Sequence, residues 1–316
     1  MDNLSKKVSI ITATYNLVTK ERQNFFVEMF NSVHNQDYEN IEHIIKDGGS
    51  TDGSIEFIKE IIDKYGKKNT VFISEKDSGI HNATNIGIKE SKGVYFTLMC
   101  DDDFYVTNDA VSLSVKALDE SGADFSYAPI YILRNNSMEL VKPSWKHCFF
   151  VHPVGTATWF IKKSSLSEIK YFDESYKITG DYDLMMRMLL SGKRPVEVKK
   201  TISCFRFGGI STTDIEQVHK EAMRVMMTNF KWSKKQAYLA EYHRVATEKM
   251  IKKLLSKTID FPDRDGLLSY QKEVYDNYKR SRFLSYKKRI IKVLISFIPV
   301  KSIRSHLRKM FNIKRG

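Results

Sequence analysis

"YFTLMCDDDFY", residues 95–105, decides the fold. An apolar run ends abruptly at three consecutive carboxylates, Asp101, Asp102 and Asp103. A short apolar run bounded by polar residues reads as a buried strand. Three like charges at its end repel one another, so something on that rim has to offset them. The same grammar recurs upstream. Residues 8–13 ("VSIITA"), 41–46 ("IEHIIK") and 70–74 ("TVFIS") read as strands, with 94–100 as the fourth. Helical segments fill the gaps at 24–36, 54–65 and 82–90. Within 54–65 the residues Ile55, Ile58, Ile61 and Ile62 recur at helical spacing.

This β-α-β-α-β-α-β alternation with short loops predicts an α/β domain, a mostly parallel sheet with helices on both faces. Ligands of such open sheets bind beyond the carboxyl ends of the strands. Three polar clusters follow strand ends, at 12–16, 47–54 and 101–103, so they are expected to converge on one rim. From 124 to 207 the pattern is less regular. Strands are read near 125–133, 157–161 and 196–205. A helix over 181–191 has Leu184, Met185, Met188 and Leu189 on its apolar side.

After residue 215 the character changes. The last 101 residues carry 25 Lys+Arg and 9 Asp+Glu, a net +16, against a net −3 for residues 1–215. That asymmetry predicts two units, a domain over 1–215 and a basic helical region over 216–316, broken at "IDFPDRDG" (259–266). With 42% hydrophobic and 28% charged residues the chain is a packed protein and not a disordered one. Three scattered cysteines without a CxxC pair argue against a disulfide framework or a cysteine zinc site and favour a reducing compartment. No apolar run reaches spanning length and no signal-peptide core precedes residue 8.

The clusters have chemistry in them. Carboxylates at a strand end suit a hard divalent cation, which takes oxygen ligands and keeps sites for phosphate. Taken alone, the same run is as well read as a helix cap or a solvated acidic turn. "KDGGSTDGS" (46–54) has glycines that allow a sharp turn, an aspartate at a strand end able to accept from a base N–H, and helix-capping residues at Ser50, Asp52 and Ser54. Alone it is also an ordinary strand-to-helix turn. "SEKDSGIHNATNIGIKESKG" (74–93) is a polar loop leading into a helix.

Together, "VSIITATYN", "IIKDGGSTDGS", "SEKDSGIHNATNIGIKESKG" and "CDDDF", followed by "FDESYKITGDYDLMMRML" (172–190) and "FRFGGIS" (205–211), closely resemble the family 2 glycosyltransferases over about residues 7–212. The resemblance implies the GT-A fold, a Rossmann-like sheet here followed by a basic helical extension. It implies a nucleotide-sugar donor, a UDP-sugar first, and Mn²⁺ or Mg²⁺. Thr12, Ala13, Thr14 and Asn16 line up with the first nucleotide-binding loop. Asp47 matches the reader of uracil, and Asp77 lies in the segment closing over the nucleotide. Asp103 matches the direct metal ligand, with Asp101 and Asp102 nearer the ribose and the metal's waters. Asp181 matches the catalytic base, while Asp183, two residues on, points elsewhere on a helix.

The implied activity is an inverting hexosyl or N-acetylhexosaminyl transfer. A base takes the acceptor proton while the hydroxyl attacks C1 and a nucleoside diphosphate leaves. The processive QxxRW motif is absent, which implies one sugar per event. The chain departs from the family pattern at Lys76 for proline, His81 for an aromatic, Asn82 for an acid and Gly180 for the glutamate before the base. His152 and Trp159 are read either as acceptor contacts or as core, and Arg206 as a diphosphate contact or a surface ion pair.

The tail, residues 285–316, alternates cations with apolar residues and reads as a helix lying on an anionic membrane surface or packed on the domain. No nucleic-acid-binding module is visible. By family analogy the expected acceptor is a lipid-linked glycan of bacterial O-antigen or capsule type, at the inner face of the cytoplasmic membrane. Homo-oligomerisation through the tail stays open. Two other readings compete: a sugar nucleotidyltransferase, and a non-catalytic membrane-peripheral scaffold that has kept the fold.

Overall fold

The structure is a computed structural model that describes residues 6–66, 68–149, 152–243, 246, 248–258 and 261–296. Its first half follows the expected alternation: β1 (Val8–Thr14), α1 (Gln23–His34), β2 (Ile41–Asp47), α2 (Ser54–Tyr65), β3 (Asn69–Ser74), α3 (Ile80–Glu90) and β4 (Tyr95–Leu98). β1 lies between β2 and β4, and all four strands run parallel. The chain turns outward on both sides of β1, so the crevice beyond the ends of β1 and β4 is the switch point of the sheet.

The irregular middle resolves into β5 (Phe104–Tyr105), α4 (Ala110–Ser121), β6 (Phe125–Tyr127), β7 (Ile130–Arg134), β8 (Ser137–Val141), β9 (Phe160–Lys162), α5 (Gly180–Leu190), β10 (Pro195–Glu197) and β11 (Ser203–Arg206). The main sheet has seven strands, ordered β10-β6-β9-β4-β1-β2-β3, and β9 runs antiparallel to both its neighbours. Two expected strands are each two. The run 125–133 divides at Pro129, which has no N–H for a ladder; β6 stays in the main sheet and β7 joins a four-stranded sheet ordered β5-β11-β7-β8. The run 196–205 divides likewise into β10 and β11.

Helices α6 (Ile210–Thr213), α7 (Ile215–Phe230), α8 (Lys234–His243), α9 (Glu248–Leu255) and α10 (Arg264–Ser296) complete the described chain. The expected boundary at 215/216 is not a break in packing. Ala222, Val225, Met226, Phe230, Leu254 and Leu267 share one apolar cluster with Ile11, Phe96, Trp159 and Met185. Between Lys272 and Lys287 the described side chains of α10 are largely exposed: Phe283 is 64% and Leu284 52% accessible. Residues 297–316, most of the basic tail, lie outside the described residues. Among the described residues no helix is long and apolar enough to cross a membrane.

Under the other face of the sheet, α1 covers β1 and β2 with Phe26, Met29, Phe30 and Val33. Two histidines are buried there. The Lys68 N–H donates to His34 Nδ1 (3.0 Å), which leaves His34 Nε2 to donate to His43 Nδ1 (3.2 Å). His43 Nε2 in turn donates to Thr12 Oγ1 (3.0 Å). Burial, then the neighbouring His34, holds His43 well below the usual imidazole value. The unfolded chain therefore takes up this proton near pH 6.5 while the native chain refuses it, and stability is lost as pH falls below that point. We expect a slope of about 1.4 kcal/mol per pH unit there from this group. Thermal unfolding between pH 7.5 and 5 checks it: His43→Gln should flatten the slope, and an equal slope in the variant would assign the acid sensitivity elsewhere.

Candidate active site

The site grows from the carboxyl ends of β1, β2 and β4. Distance from the strand end decides which β1 residues reach it. Thr12 does not through its side chain, which faces α1, bonds His43 and is fully buried. Ala13 is half-buried at the strand end. Thr14 turns its hydroxyl toward Asp47 Oδ1 (3.4 Å). Asn16 adopts φ 52°, a left-handed conformation that asparagine tolerates. Its N–H donates to Ser50 Oγ (2.8 Å) and its Oδ1 accepts from Thr51 N–H (3.4 Å), so it stitches the first loop to the second.

Asp47 is fully buried and its carboxylate serves its own loop. Oδ2 accepts from the Gly49 and Ser50 N–H groups (both 2.9 Å) and Ser74 Oγ (2.8 Å), and Oδ1 from Ser50 Oγ (2.5 Å) and Thr14 Oγ1. That uses the lone pairs expected to read a base. In this arrangement Asp47 shapes the loop. The fully buried Lys46, which the sequence did not flag, ties that loop to the next. Its ammonium donates to the carbonyls of Asp47 and Glu75 (2.7 Å each) and to Asp77 Oδ2 (3.1 Å). Asp77 also receives the Gly79 N–H (3.0 Å), which fixes the turn into α3. Tyr15, half exposed, stands over Gly48, where a Cβ would lie 3.1 Å from both the Tyr15 ring and Asp77 Oδ2.

Beyond β4 the three carboxylates are buried together. Arg22, at the start of α1, reaches across 80 residues: one guanidinium nitrogen is 2.9 Å from Asp101 Oδ1 and the other meets Asp102. Among the described residues no cation pairs with Asp103. Its Oδ1 accepts the Arg206 N–H (2.9 Å), and burial, then the Asp102 charge, pushes it well above the usual carboxylate range. Asp101 is pushed up to about 6 by burial, with Arg22 opposing. Arg206 is itself spent, on the Asp102 carbonyl (3.0 Å) and on Glu28 (2.5 Å), with Phe25 against its face. It positions the acidic loop.

Cys100, Asp102 and Asp103 present ligand atoms within 4.8 Å of one another. The Cys100 thiol is driven well above its ordinary value by burial and by four carboxylates, Asp103, Asp102, Asp101 and Asp181. A thiol that stays protonated is a poor partner for a hard cation, so the oxygens of Asp102 and Asp103 carry the fit. Buried carboxylates short of positive charge are what a divalent ion with phosphate ligands would satisfy.

Asp181 lies in the first turn of α5. Its Oδ2 accepts from Thr156 Oγ1 (2.7 Å) and its Oδ1 from the Tyr182 N–H (2.7 Å). Asp183 faces away as expected, bonded to Arg187 (2.7 Å) and Asn229 (2.8 Å). The loop before α5 is clamped by Glu221 of α7, which accepts the N–H groups of Lys177 (2.7 Å), Ile178 and Thr179 (2.9 Å each). Burial raises the Glu221 carboxyl, but these donors together with Gln217 outweigh it and hold the group below its ordinary value. Trp159 is core, edge-on to Phe125. His152 bonds the Val154 carbonyl (2.5 Å) beside Trp159. Thr156 and Glu221 carried no local sequence signal beyond the polar positions they fill.

Comparison with known proteins adds to this geometry. The model of "Glycosyl transferase family 2" matches residues 9–190. An uncharacterized glycosyltransferase of Haemophilus influenzae is 28% identical over 65% of this chain and 81% of its own length. One from Rickettsia typhi is 30% identical over 58% of this chain and 59% of its own. Chondroitin synthase of Escherichia coli is 33% identical over 41% of this chain, but only 17% of that protein is spanned. Among solved structures, S. aureus TarS residues 1–349 matches with TM-score 0.56 at 16% identity, covering 87% of this chain and 92% of that one. The mannosyltransferase PcManGT of Pyrobaculum calidifontis, solved with GDP-Man and Mn²⁺, matches with TM-score 0.60 at 12% identity, covering 98% and 84%. These likenesses give the GT-A fold, and the match over most of the sheet and its site loops places this chain in glycosyl transferase family 2.

Proposed function

We propose that the chain transfers one sugar per event, with inversion, from a UDP-sugar to an acceptor hydroxyl, using Asp181 as the base. The observation that carries this reading is the convergence of Asp181 and the acidic run: Thr156, which bonds Asp181, lies in a turn packed against β4 and β11, and Arg206 of β11 donates its N–H to Asp103. In this scheme the loops around Asn16, Ser50 and Asp77 hold the nucleoside, and Asp102 and Asp103 hold Mn²⁺ or Mg²⁺. The ion supplies charge stabilisation to the departing diphosphate. Asp181, oriented by Thr156 and the Tyr182 N–H, takes the acceptor proton as the hydroxyl attacks C1. Burial of the carboxylates keeps water away and strengthens every charge in the crevice.

The acceptor in this proposal is a lipid-linked glycan at an anionic membrane surface. The support is composition with two exposed apolar side chains: residues 279–296 contain seven Lys/Arg and no Asp/Glu, and Phe283 and Leu284 are exposed. Each cation near such a surface contributes about 1 kcal/mol.

The test is nucleotide release with Mn²⁺ across UDP-, GDP- and dTDP-sugars, with and without vesicles of anionic lipid carrying polyprenyl-linked glycan. The GDP-sugars are included because one structural neighbour was solved with GDP-Man. Release from a UDP-sugar, increased by the vesicles, is the expected result. Folded protein that binds and turns over none of the donors would overturn the reading.

A further inference from the structure

Two positions where the chain leaves the family pattern, His81 and Gly180, are 99 residues apart and touch. His81 sits in the first turn of α3 and is 6% exposed, its ring parallel to Phe172 (centroids 5.5 Å apart, 5° between planes). Its Nε2 accepts the Gly180 N–H at 3.1 Å. A Cβ at position 180 would lie 2.6 to 2.8 Å from three atoms of that ring, closer than real contacts allow. The ring and a side chain at 180 therefore exclude each other.

The free N–H groups at a helix start need acceptors. Here the three before α5 go to Glu221, the next, Gly180, goes to His81, and Tyr182 goes to Asp181 itself. We infer that His81 is the positioning residue of the base, its unprotonated Nε2 holding the first residue of α5 so that Asp181 stands where the acceptor proton is removed. This rests on the reading of Asp181 as the base. The imidazole has to be neutral, with its proton on Nδ1, for the bond to exist. A proton on Nε2 turns the acceptor into a donor, orphans the Gly180 N–H and puts a positive charge beside Asp181. Groups facing the ring are Asp181 of α5, Glu221 of α7 and Asp173 with the Ile178 backbone in the preceding loop, all favouring protonation, while burial opposes it more strongly.

The experiment uses the full chain, nucleotide release from UDP-GlcNAc and UDP-glucose with Mn²⁺, and ¹⁵N-histidine NMR, with unfolding followed at every pH. His81→Phe keeps the stacking and loses the acceptor; kcat should fall about 10- to 100-fold with KM for the donor little changed. His81→Gln offers a non-titrating acceptor; it should retain most of kcat and move the acid limb of kcat/KM to lower pH. Gly180→Ala should be impaired, and His81→Ala/Gly180→Ala should recover relative to it. The NMR titration should show a neutral His81 with Nδ1 protonated, and Asp181→Asn should lower its pKa. A His81→Phe variant with wild-type kcat, or an acid limb unmoved in His81→Gln, overturns the inference while Asp181→Asn remains inactive. Wild-type kcat in Asp181→Asn would instead overturn the base reading on which it stands.

Discussion

Asp181→Asn is expected to lower kcat for sugar transfer by about 10²- to 10⁴-fold, the range that general-base groups contribute. Donor affinity should stay within about threefold, because the change removes proton acceptance and little ground-state binding. The substitution is close to isosteric. Asn Oδ1 can still accept from either Thr156 Oγ1 or the Tyr182 N–H, and the threonine hydroxyl can turn to the other partner. The fold should therefore survive, with Tm close to wild type. Single-turnover rates and nucleotide titration on the same preparation check this. A loss of binding parallel to the loss of rate would mean that Asp181 shapes the site and does not act as the base. Thr156→Val offers a milder comparison: it removes one hydrogen bond to the base and should cost less in rate than Asp181→Asn.

What the sequence showed of this site was local. Strands β1 to β4 and helices α1 to α3 were legible because each carries its own periodicity within about a dozen residues. The polar clusters were legible because each follows a strand end. What failed was non-local. Arg22 reaches Asp101 over 79 residues and Glu221 clamps Lys177 over 44, and no spacing rule connects such pairs. The runs 125–133 and 196–205 read as single strands because β propensity does not reveal that a chain changes sheets. Asp47 illustrates a subtler ambiguity. Small polar residues around an acid suggest a ligand, yet the same residues satisfy that acid: Ser50, Ser74 and two backbone N–H groups take up its oxygens. The helical region after 215 looked separable by charge. Its buried side chains belong to the same apolar cluster as those of α5 and the sheet, and charge on the outer face carries no information about that.

Asp103→Ala is expected to abolish Mn²⁺-dependent nucleotide release while leaving the metal-free protein at least as stable as wild type. The reasoning starts from repulsion. Asp103 is 3% exposed, lies beside Asp102 and pairs with no cation among the described residues, so burial and its neighbour push it well above the usual range. A carboxylate in that position weakens the fold as pH rises through its titration, because the unfolded chain releases the proton first. Removing it removes the cost, and the Arg206 N–H it leaves behind accounts for any small opposing loss. A bound cation removes the same cost by another route. Wild-type protein should therefore gain about 2.7 kcal/mol of stability on addition of Mn²⁺ with UDP at a ligand concentration of 100 Kd, read as a rise in Tm. The gain should be larger at pH 7.5 than at pH 5, because a proton on Asp103, whose carboxyl burial and Asp102 push well above the usual range, competes with the metal more as pH falls. Asp103→Ala should show neither the gain nor its pH dependence. Scanning calorimetry with and without Mn²⁺ separates the outcomes. A variant that still gains Tm would place the cation on Asp101 and Asp102, and a variant much less stable without metal would make Asp103 a structural acceptor for the Arg206 backbone.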